Sequence, residues 1–336
     1  MLTRGMHRRS AVSAGIAWLV IVGLALAGCG SSNSGSSGGS SGPSSPPSGG
    51  PSASGPAPSA TGTPGTSGSG TVVGWGNISV PAGLSDVVDI AAGHTHALAL
   101  KRDGTVVAWG RIVGDELQVP AGLSGVKAIA AGSSQSLALL NDGSVVGWGY
   151  IPVPAGLSGV ISIAVGEEFC LAVKKDGTVV AWGKDYYGDT HVPAGLSGVV
   201  AVAAGRFHAL ALKSDGTVVA WGKNSDTQTN VPEGLSGVSA IAAGHSSGLA
   251  LKRDGTVAAW GMPNWTQLPA DLRETSLKDV RAVAGGRGHD MVAKQDGTVV
   301  AWGSNLDGEC NVPAGLSGVV DVAAGDGFSL ALVAAP

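Results

Sequence analysis

Residues 193–222 read PAGLSGVVAVAAGRFHALALKSDGTVVAWG, and close copies of this stretch recur along most of the chain. Its apolar runs are short, rich in Val, Leu and Ala, and bounded by Gly, Pro and Asp-Gly, which is the pattern of β-strands joined by turns. The pair Asp215-Gly216 is typical of a tight hairpin, because such turns need a residue that accepts a positive φ. Each copy therefore predicts three short strands, the last of which ends in Trp221-Gly222.

The Trp-Gly pair sets the period of the repeat. Seven such pairs occur, spaced by 34, 39, 34, 39, 39 and 42 residues, at Trp75, Trp109, Trp148, Trp182, Trp221, Trp260 and Trp302. A period in this range is the signature of a repeat fold.

The two ends of the repeat region predict how it closes. Six Asp-Gly hairpins accompany the seven Trp-Gly pairs, and the seventh is missing between the strand predicted at 328–333 and the strand predicted at 71–76. Two strands that complete one sheet close a ring without exposed edges. We therefore predict an all-β fold for residues 71–336, a seven-bladed β-propeller closed by pairing its N-terminal and C-terminal strands in one blade.

These residues also resemble a known family. The pattern of Gly, two variable residues, His, Ala or Ser, Leu-Ala-Leu, then Asp-Gly-Thr-Val and Ala-Trp-Gly is similar to the repeats of the regulator of chromosome condensation, whose fold is a seven-bladed propeller. Val-Pro-Ala after five of the seven Trp-Gly pairs, with Ser-Gly-Val before most of the following strands, also resembles the β-lactamase inhibitory proteins of type II, secreted bacterial members of the same superfamily. Members include a guanine-nucleotide exchange factor, an enzyme inhibitor and adhesive or scaffolding modules, so the resemblance implies the fold and leaves the activity open.

The first 28 residues predict an export signal. Arg4, Arg8 and Arg9 precede an uncharged apolar run over 11–28, which is the order of charge and hydrophobicity in a signal peptide. Leu26-Ala27-Gly28-Cys29 resembles the lipobox of bacterial lipoproteins, which implies cleavage before Cys29 and a lipid anchor on that cysteine. An uncleaved signal anchor is the alternative, and both interpretations place the rest of the chain outside the cytoplasm, in the bacterial envelope.

A tether is predicted between the anchor and the propeller. Residues 30–70 contain 15 Ser, 12 Gly and 7 Pro, with no charge and no large apolar side chain. Such a segment cannot bury enough apolar surface to offset its ordering entropy. We therefore assign 29–70 to the lipidated cysteine and a flexible linker that spans roughly 35 Å.

Charge and chemistry exclude several functions. The net charge is −4 and basic clusters are missing from the repeats, which argues against a nucleic-acid partner. The sequence has no zinc-spaced Cys/His cluster and no motif for nucleophilic or paired-carboxylate catalysis. We predict a non-enzymatic monomer with no catalytic residues, no metal and no cofactor. We interpret His96, His208 and His289, which follow strand glycines, as structural, and expect no disulfide between Cys170 and Cys310.

The candidate binding residues are those that break the repeat. In an up-and-down blade, the loop after the strand glycine and the loop after Trp-Gly share one face, opposite the Asp-Gly hairpins. The predicted partner-binding residues on that face are Tyr150, Tyr186, Tyr187, Phe207, Trp265, Glu167, Glu168 and Arg206. Exposed aromatics are typical of interface hot spots, although ordinary loop filling is the alternative. We predict that this face binds a protein or glycan outside the cytoplasm.

Two further expectations concern the loops and the function. The distance from Trp to the Pro of Val-Pro-Ala is 6 residues at Trp75 and Trp148 but 11 at Trp109, Trp182, Trp221 and Trp302, so this face should have two low notches. A charged insertion at 271–279 is expected to be a solvated loop on the hairpin face. The functional alternatives are a β-lactamase inhibitor and, more remotely, a nucleotide-exchange factor.

Overall fold

The computed structural model describes residues 70–111, 114–261 and 277–335. These residues form 21 strands arranged as seven three-stranded antiparallel sheets, which confirms the predicted seven-bladed β-propeller. The export signal, Cys29, most of the linker, Trp265 and most of the 271–279 insertion lie outside the described residues.

Each sheet forms one blade, and we number the blades along the chain. Blade 1 contains β2 (Val87–Ala92), β3 (His96–Lys101) and β4 (Val106–Gly110), blade 2 contains β5 (Val126–Ala131), β6 (Gln135–Leu140) and β7 (Val145–Gly149), and blade 3 contains β8 (Val160–Val165), β9 (Phe169–Lys174) and β10 (Val179–Gly183). Blade 4 contains β11 (Val199–Ala204), β12 (His208–Lys213) and β13 (Val218–Gly222), and blade 5 contains β14 (Val238–Ala243), β15 (Ser247–Lys252) and β16 (Val257–Gly261). Blade 6 contains β17 (Val280–Gly285), β18 (His289–Lys294) and β19 (Val299–Gly303), and blade 7 contains β20 (Val319–Ala324), β21 (Phe328–Val333) and β1 (Thr71–Gly76). A single 3-10 turn, Asp115–Leu117, follows blade 1.

Blade 7 joins the first and last of these strands. Strand β1 pairs antiparallel with β21 in a register that runs from Thr71 opposite Val333 to Gly76 opposite Phe328. The first strand of every blade contacts the first strand of the next, including β20 of blade 7 against β2 of blade 1. The ring is therefore continuous, and no blade edge is left open between blades 7 and 1.

The core lies between adjacent blades. One such cluster packs Leu98 of blade 1 against Ile129 and Trp148 of blade 2. Another packs Leu171 of blade 3 against Val202 and Trp221 of blade 4. Because alanine fills most of the remaining inward positions, neighbouring sheets approach closely. The repeated Trp side chains are thus framework residues that each span two blades.

The hairpins and the loops lie at opposite ends of the ring. In the hairpin of blade 1, Asp103 Oδ1 accepts hydrogen bonds from the Thr105 backbone N at 3.0 Å and from Thr105 Oγ1 at 2.6 Å. The same Asp-to-Thr or Asp-to-Ser pattern locks the hairpins of blades 2 to 6. We call this end the hairpin face; the opposite end, with the loops after the strand glycines and after Trp-Gly, is the loop face. Within the described ranges, no helix is long and apolar enough to cross a membrane.

Candidate functional site

The long loops of the loop face connect each blade to the next. We use "long loops" for those after Trp109, Trp182, Trp221 and Trp302, and "short loops" for those after Trp75 and Trp148. Seven positions beyond its Trp, each long loop presents a backbone carbonyl oxygen that accepts the indole N–H of the following blade. The four bonds are Trp148 to Glu116 at 2.9 Å, Trp221 to Asp189 at 3.0 Å, Trp260 to Gln228 at 2.9 Å and Trp75 to Glu309 at 2.8 Å.

The side chains at this seventh position hold the loops themselves. Asp189 Oδ1 accepts the backbone N–H groups of Tyr186 and Tyr187 at 3.1 and 2.8 Å. Gln228 and Glu309 make the corresponding bonds in their own loops. These buried polar residues are therefore loop anchors, and burial raises the pKa of Asp189.

The short loops leave the next indole N–H without an acceptor. Among the described residues, the Nε1 atoms of Trp109 and Trp182 are buried and have no hydrogen-bond partner. Both short loops follow a Gly-Trp pair, whereas the other five blades all have Ala-Trp. A Cβ on Gly74 would lie 2.8 Å from Val80 Cγ2, and one on Gly147 would lie 2.6 Å from Val153 Cγ2. The short loop thus returns so close over the strand that only glycine fits.

Four aromatic side chains form an exposed patch on blades 2 to 4. We define the aromatic patch as Tyr150, Tyr186, Tyr187 and Phe207. The three tyrosines are 69%, 51% and 53% exposed, whereas Phe207 is partly buried. The ring centroid of Phe207 lies 5.5 Å from that of Tyr186 and 5.1 Å from that of Tyr187, so the three rings support one another.

Cationic side chains lie between the rings. Lys184 Nζ is 5.2 Å from the Tyr150 ring centroid and 6.0 Å from that of Tyr186. Arg206 Cζ lies 4.7 Å from the Phe207 centroid. Lys223 Nζ lies 5.6 Å from the Tyr187 centroid. These distances are within the range of cation–π attraction, which holds the patch in one arrangement.

Glu168 ties the patch to blade 3. Its Oε2 accepts hydrogen bonds from Tyr186 OH at 2.5 Å and from Lys184 Nζ at 2.7 Å. Burial raises the pKa of Glu168, but these two donors outweigh it and leave the pKa below its usual value. The same bond raises the pKa of Tyr186, because only the protonated phenol can donate a hydrogen bond to the carboxylate.

Glu167 and Arg206 lie beside the patch at the start of the loops that follow the strand glycines. Arg206 Nε is 3.4 Å from Glu167 Oε2, and another guanidinium nitrogen is 3.0 Å from His245 Nε2. Burial raises the pKa of Glu167 despite the charge of Arg206. Burial and Arg206 lower the pKa of His245 to about 4, so its neutral ring accepts the guanidinium N–H.

The three histidines at the start of the middle strands connect neighbouring blades. His96 Nε2 lies 3.0 Å from Ser136 Oγ, His289 Nε2 lies 2.9 Å from Ser329 Oγ, and His208 Nε2 lies 3.2 Å from the Ser247 carbonyl oxygen. Burial lowers the pKa of each of these histidines to about 4. They are neutral donors within the core, as the structural interpretation requires.

A buried Ser, His and Asp do meet across blades 4 to 6. Ser247 Oγ donates to Asp290 Oδ1 at 3.2 Å, but His208 contacts only the serine carbonyl. The hydroxyl therefore has no histidine base, and burial raises the pKa of Asp290 to about 8, so this carboxyl group is protonated at neutral pH. In the part of the chain that the structure describes, no group of three or more His, Cys, Asp or Glu is placed to hold a metal ion, and Cys170 and Cys310 are free thiols.

Comparisons with known proteins agree with this geometry. Residues 87–111, 126–150, 160–189 and 199–228 match the family described as Regulator of chromosome condensation (RCC1) repeat. The chain is an RCC1-like β-propeller. No protein with a curated description matches its sequence significantly.

Several solved structures share the fold of this RCC1-like propeller at low sequence identity. Prp20p from Saccharomyces cerevisiae is 20% identical with a TM-score of 0.64, and the match covers 80% of this chain and 92% of that one. Human WBSCR16 is 19% identical with a TM-score of 0.57, covering 73% and 86% of the two chains. The ectodomain of the Arabidopsis thaliana receptor kinase ACR4 is 21% identical with a TM-score of 0.57, covering 71% and 90%. At such identity these likenesses concern the fold alone.

The RCC1-like propeller brings together most of the residues that the sequence singles out. Tyr150, Tyr186, Tyr187, Phe207, Glu167, Glu168 and Arg206 all lie on the loop face of blades 2 to 4, and Trp265 is outside the described residues. Sequence reasoning missed Lys184 and Lys223, which lie between the rings. Both occupy the second position after a framework Trp, where Tyr150 stands in blade 2, and that shared position is the signal that would have found them.

Proposed function

We propose that this RCC1-like propeller is an exported, lipid-anchored and non-enzymatic protein that binds a protein partner at the cell envelope through its loop face. The aromatic patch carries the proposal. Three exposed tyrosines held by ring contacts, cation–π contacts and the Glu168 hydrogen bond lose little side-chain entropy on binding. Tyrosine and arginine are also the residues most enriched at binding hot spots.

The position at which the chain enters the propeller supports a partner on the loop face. Gly70 O accepts the backbone N–H of Val87 at 3.1 Å, and Thr71 lies opposite Val333 at the hairpin face. A linker that continues backwards from Gly70 therefore leaves the propeller on the face opposite the aromatic patch. With a lipid on Cys29, this attachment leaves the patch free to face away from the membrane.

The fold has protein partners elsewhere. Prp20p, which shares the fold at 20% identity, has been studied for its binding to Gsp1p and histones. We carry over only the use of the propeller as a protein-binding surface. Export makes a cytosolic exchange-factor role unsuitable here, and β-lactamase inhibition stays a prediction that a nitrocefin hydrolysis assay with class A enzymes tests.

The binding test compares two sets of substitutions in the full-length chain. We expect the combined Tyr150→Ala, Tyr186→Ala, Tyr187→Ala and Phe207→Ala variant to lose the protein cross-linked by the native chain on intact envelopes. The control is Leu306→Ala, because Leu306 is 87% exposed in the long loop of blade 6, at the position that corresponds to Tyr186. Unchanged cross-linking in the four-site variant, with the fold verified by circular dichroism, would overturn the proposal. Capture of a glycan instead of a protein would replace the partner class.

The anchor needs its own test. We expect globomycin to block processing of the native chain and Cys29→Ser to abolish incorporation of labelled fatty acid. An unprocessed protein in the cytosolic fraction would contradict export and revive the exchange-factor alternative.

A further inference from the structure

Four loops of this chain act as plugs between neighbouring blades. Each long loop places one backbone carbonyl oxygen against the indole N–H of the next blade, as Asp189 O does for Trp221 at 3.0 Å. Two of these carbonyls also accept a serine hydroxyl of the same blade, at 3.2 Å from Ser136 Oγ to Glu116 O and 2.8 Å from Ser329 Oγ to Glu309 O. The chain thus contains four examples in which a backbone carbonyl oxygen accepts the indole N–H of a framework Trp.

The junction of blades 2 and 3 is such a position at which no loop carbonyl meets the indole N–H. The short loop at residues 150–153 supplies no carbonyl, and Trp182 Nε1 has no hydrogen-bond partner among the described residues. Trp182 is partly exposed, whereas Trp75, Trp109, Trp148 and Trp221 are each 7% exposed. An indole N–H is a donor only, so the atom that completes this site must be an acceptor.

This junction of blades 2 and 3 borders the aromatic patch. Tyr150 lies on the short loop itself, and Lys184, two residues after Trp182, lies between the rings of Tyr150 and Tyr186. Among the described residues, the other unplugged indole is that of Trp109 in blade 1, a blade that contributes no residue to the patch. At both positions a buried indole N–H has no acceptor, and only the position at Trp182 adjoins exposed tyrosines.

The short loop packs against Trp182 in the free protein. Ile151 packs in the same cluster as Trp182 and Val153. Gln135 Oε1 fixes this loop by accepting the Ile151 backbone N–H at 2.6 Å. A ligand therefore reaches Trp182 Nε1 only by displacing residues 150–153, and the indole then gains its missing acceptor. A buried donor without an acceptor is costly, so satisfying it offsets part of the cost of displacing the loop.

We infer that, at the junction of blades 2 and 3, a turn of the protein partner displaces the short loop and its backbone carbonyl oxygen accepts the indole N–H of Trp182. This inference rests on the proposed function and adds to it the part of the partner that is recognised. A peptide carbonyl fits because all four internal precedents are backbone carbonyls of a polar loop, bound beside an apolar blade interface.

The test uses the chain's own plug as the probe. A cyclic peptide with the sequence of residues 223–231, the long loop that plugs Trp260, is added to the full-length protein labelled with 15N-tryptophan. We expect a saturable downfield shift of the Trp182 indole N–H resonance, which Trp182→Phe identifies. We expect Trp182→Phe to weaken peptide binding roughly fivefold, the equivalent of about 1 kcal/mol for one hydrogen bond. Trp221→Phe is the control and should leave binding unchanged, because its indole N–H already bonds Asp189 O.

A second variant tests the same site without a free ligand. Replacing residues 150–153 with residues 223–231 converts the short loop into a long one. We expect this graft to abolish peptide binding and to shift the Trp182 indole resonance downfield by itself. Absence of any Trp182 shift in both the titration, at the highest soluble peptide concentration, and the graft would overturn the inference.

The outcome is separable from that of the proposed function. If the four-site patch variant loses the envelope partner while Trp182→Phe retains it in full, the loop face is a binding surface and the inserted turn is wrong. If both retain the partner, the proposed function fails as well.

Discussion

The indole Nε1 of Trp221 donates a 3.0 Å hydrogen bond to the carbonyl oxygen of Asp189, which lies 32 residues earlier, in the loop after blade 3. The bond ties the outer strand of blade 4 to the preceding blade's loop. Because the same bond recurs in three other blades and, among the described residues, is missing at Trp109 and Trp182, the chain contains its own control for the contribution of the bond.

Two Trp-to-Phe substitutions isolate that contribution. Trp221 and Trp109 are both 7% exposed, and only Trp221 has an acceptor for its indole N–H. Both substitutions remove the same atoms, so we expect Trp221→Phe to lower the free energy of unfolding by about 1 kcal/mol more than Trp109→Phe. Urea denaturation measures the difference. Equal losses would mean that the hydrogen bond adds nothing to stability.

A second prediction concerns the glycine beneath the short loop of blade 2. A Cβ at Gly147 would lie 2.6 Å from Val153 Cγ2, so we expect Gly147→Ala to destabilise the protein by about 1–3 kcal/mol. Thermal unfolding measures this loss. In a Val153→Ala background the clashing atom is gone, and the same substitution should cost clearly less. A penalty that is independent of Val153 would contradict the close return of the short loop.

Acid should weaken the fold through its buried histidines. Burial lowers the pKa of His208 to about 4, while the unfolded chain binds the proton near pH 6.5. The unfolded state therefore gains protons first as the pH falls, and up to about 3 kcal/mol of stability is lost between pH 6.5 and 4. We expect His208→Gln to flatten the pH dependence of unfolding in this window. Glutamine is a suitable replacement because Gln135 fills the corresponding place in blade 2.

The difference between variant and parent is the decisive quantity in that experiment. Burial raises the pKa of Asp89 to about 7, and this residue acts in the opposite direction over the same pH range. An identical acid slope in His208→Gln and the parent would show that His208 titrates normally in the folded state.

Asp290 should destabilise the protein at neutral pH. Burial raises its pKa to about 8, whereas the unfolded carboxyl loses its proton near pH 4. Folding must therefore retain a proton that the unfolded chain releases, and stability falls as the pH rises from about 4 to 8. We expect Asp290→Asn to raise the free energy of unfolding at pH 7 by up to about 4 kcal/mol, from about 1.4 kcal/mol per pKa unit. At pH 4 the two proteins should be nearly equal, and an equal gain at both pH values would show that Asp290 is ionised in the fold.

The propeller is predictable from sequence because the same turn and strand-end residues recur from blade to blade. Asp-Gly hairpins, strand glycines and Trp-Gly pairs mark the ends of every strand, and the loop after Trp109 differs from that after Trp75 by a plain difference in length. The sequence could not show what the length does. Only the coordinates place Glu116 O against Trp148 Nε1, because the bond joins residues 32 positions apart in different blades.

The candidate site was predictable in position and not in detail. Tyr186 and Phe207 break the repeat, so departure from the pattern located them on the loop face. Their contact depends on the distance between blades 3 and 4, which no local pattern encodes. Glu167 and Glu168 look alike in sequence, yet one is buried beside Arg206 and the other bonds Tyr186 and Lys184. These two side chains are neighbours in the sequence but point into different surroundings. The surroundings decide the direction in which each pKa shifts.

The pairing of β1 with β21 has a consequence in time. Thr71 is synthesised more than 250 residues before Val333, the residue opposite it in the closed ring. At about 5–20 residues per second, the first strand waits roughly 15–50 s for its partner. During that interval its edge is open to any other strand, and the six blades made in between have to form without a closed ring. Synthesis of β21 therefore ends the period in which the edge of β1 is unpaired in the nascent chain.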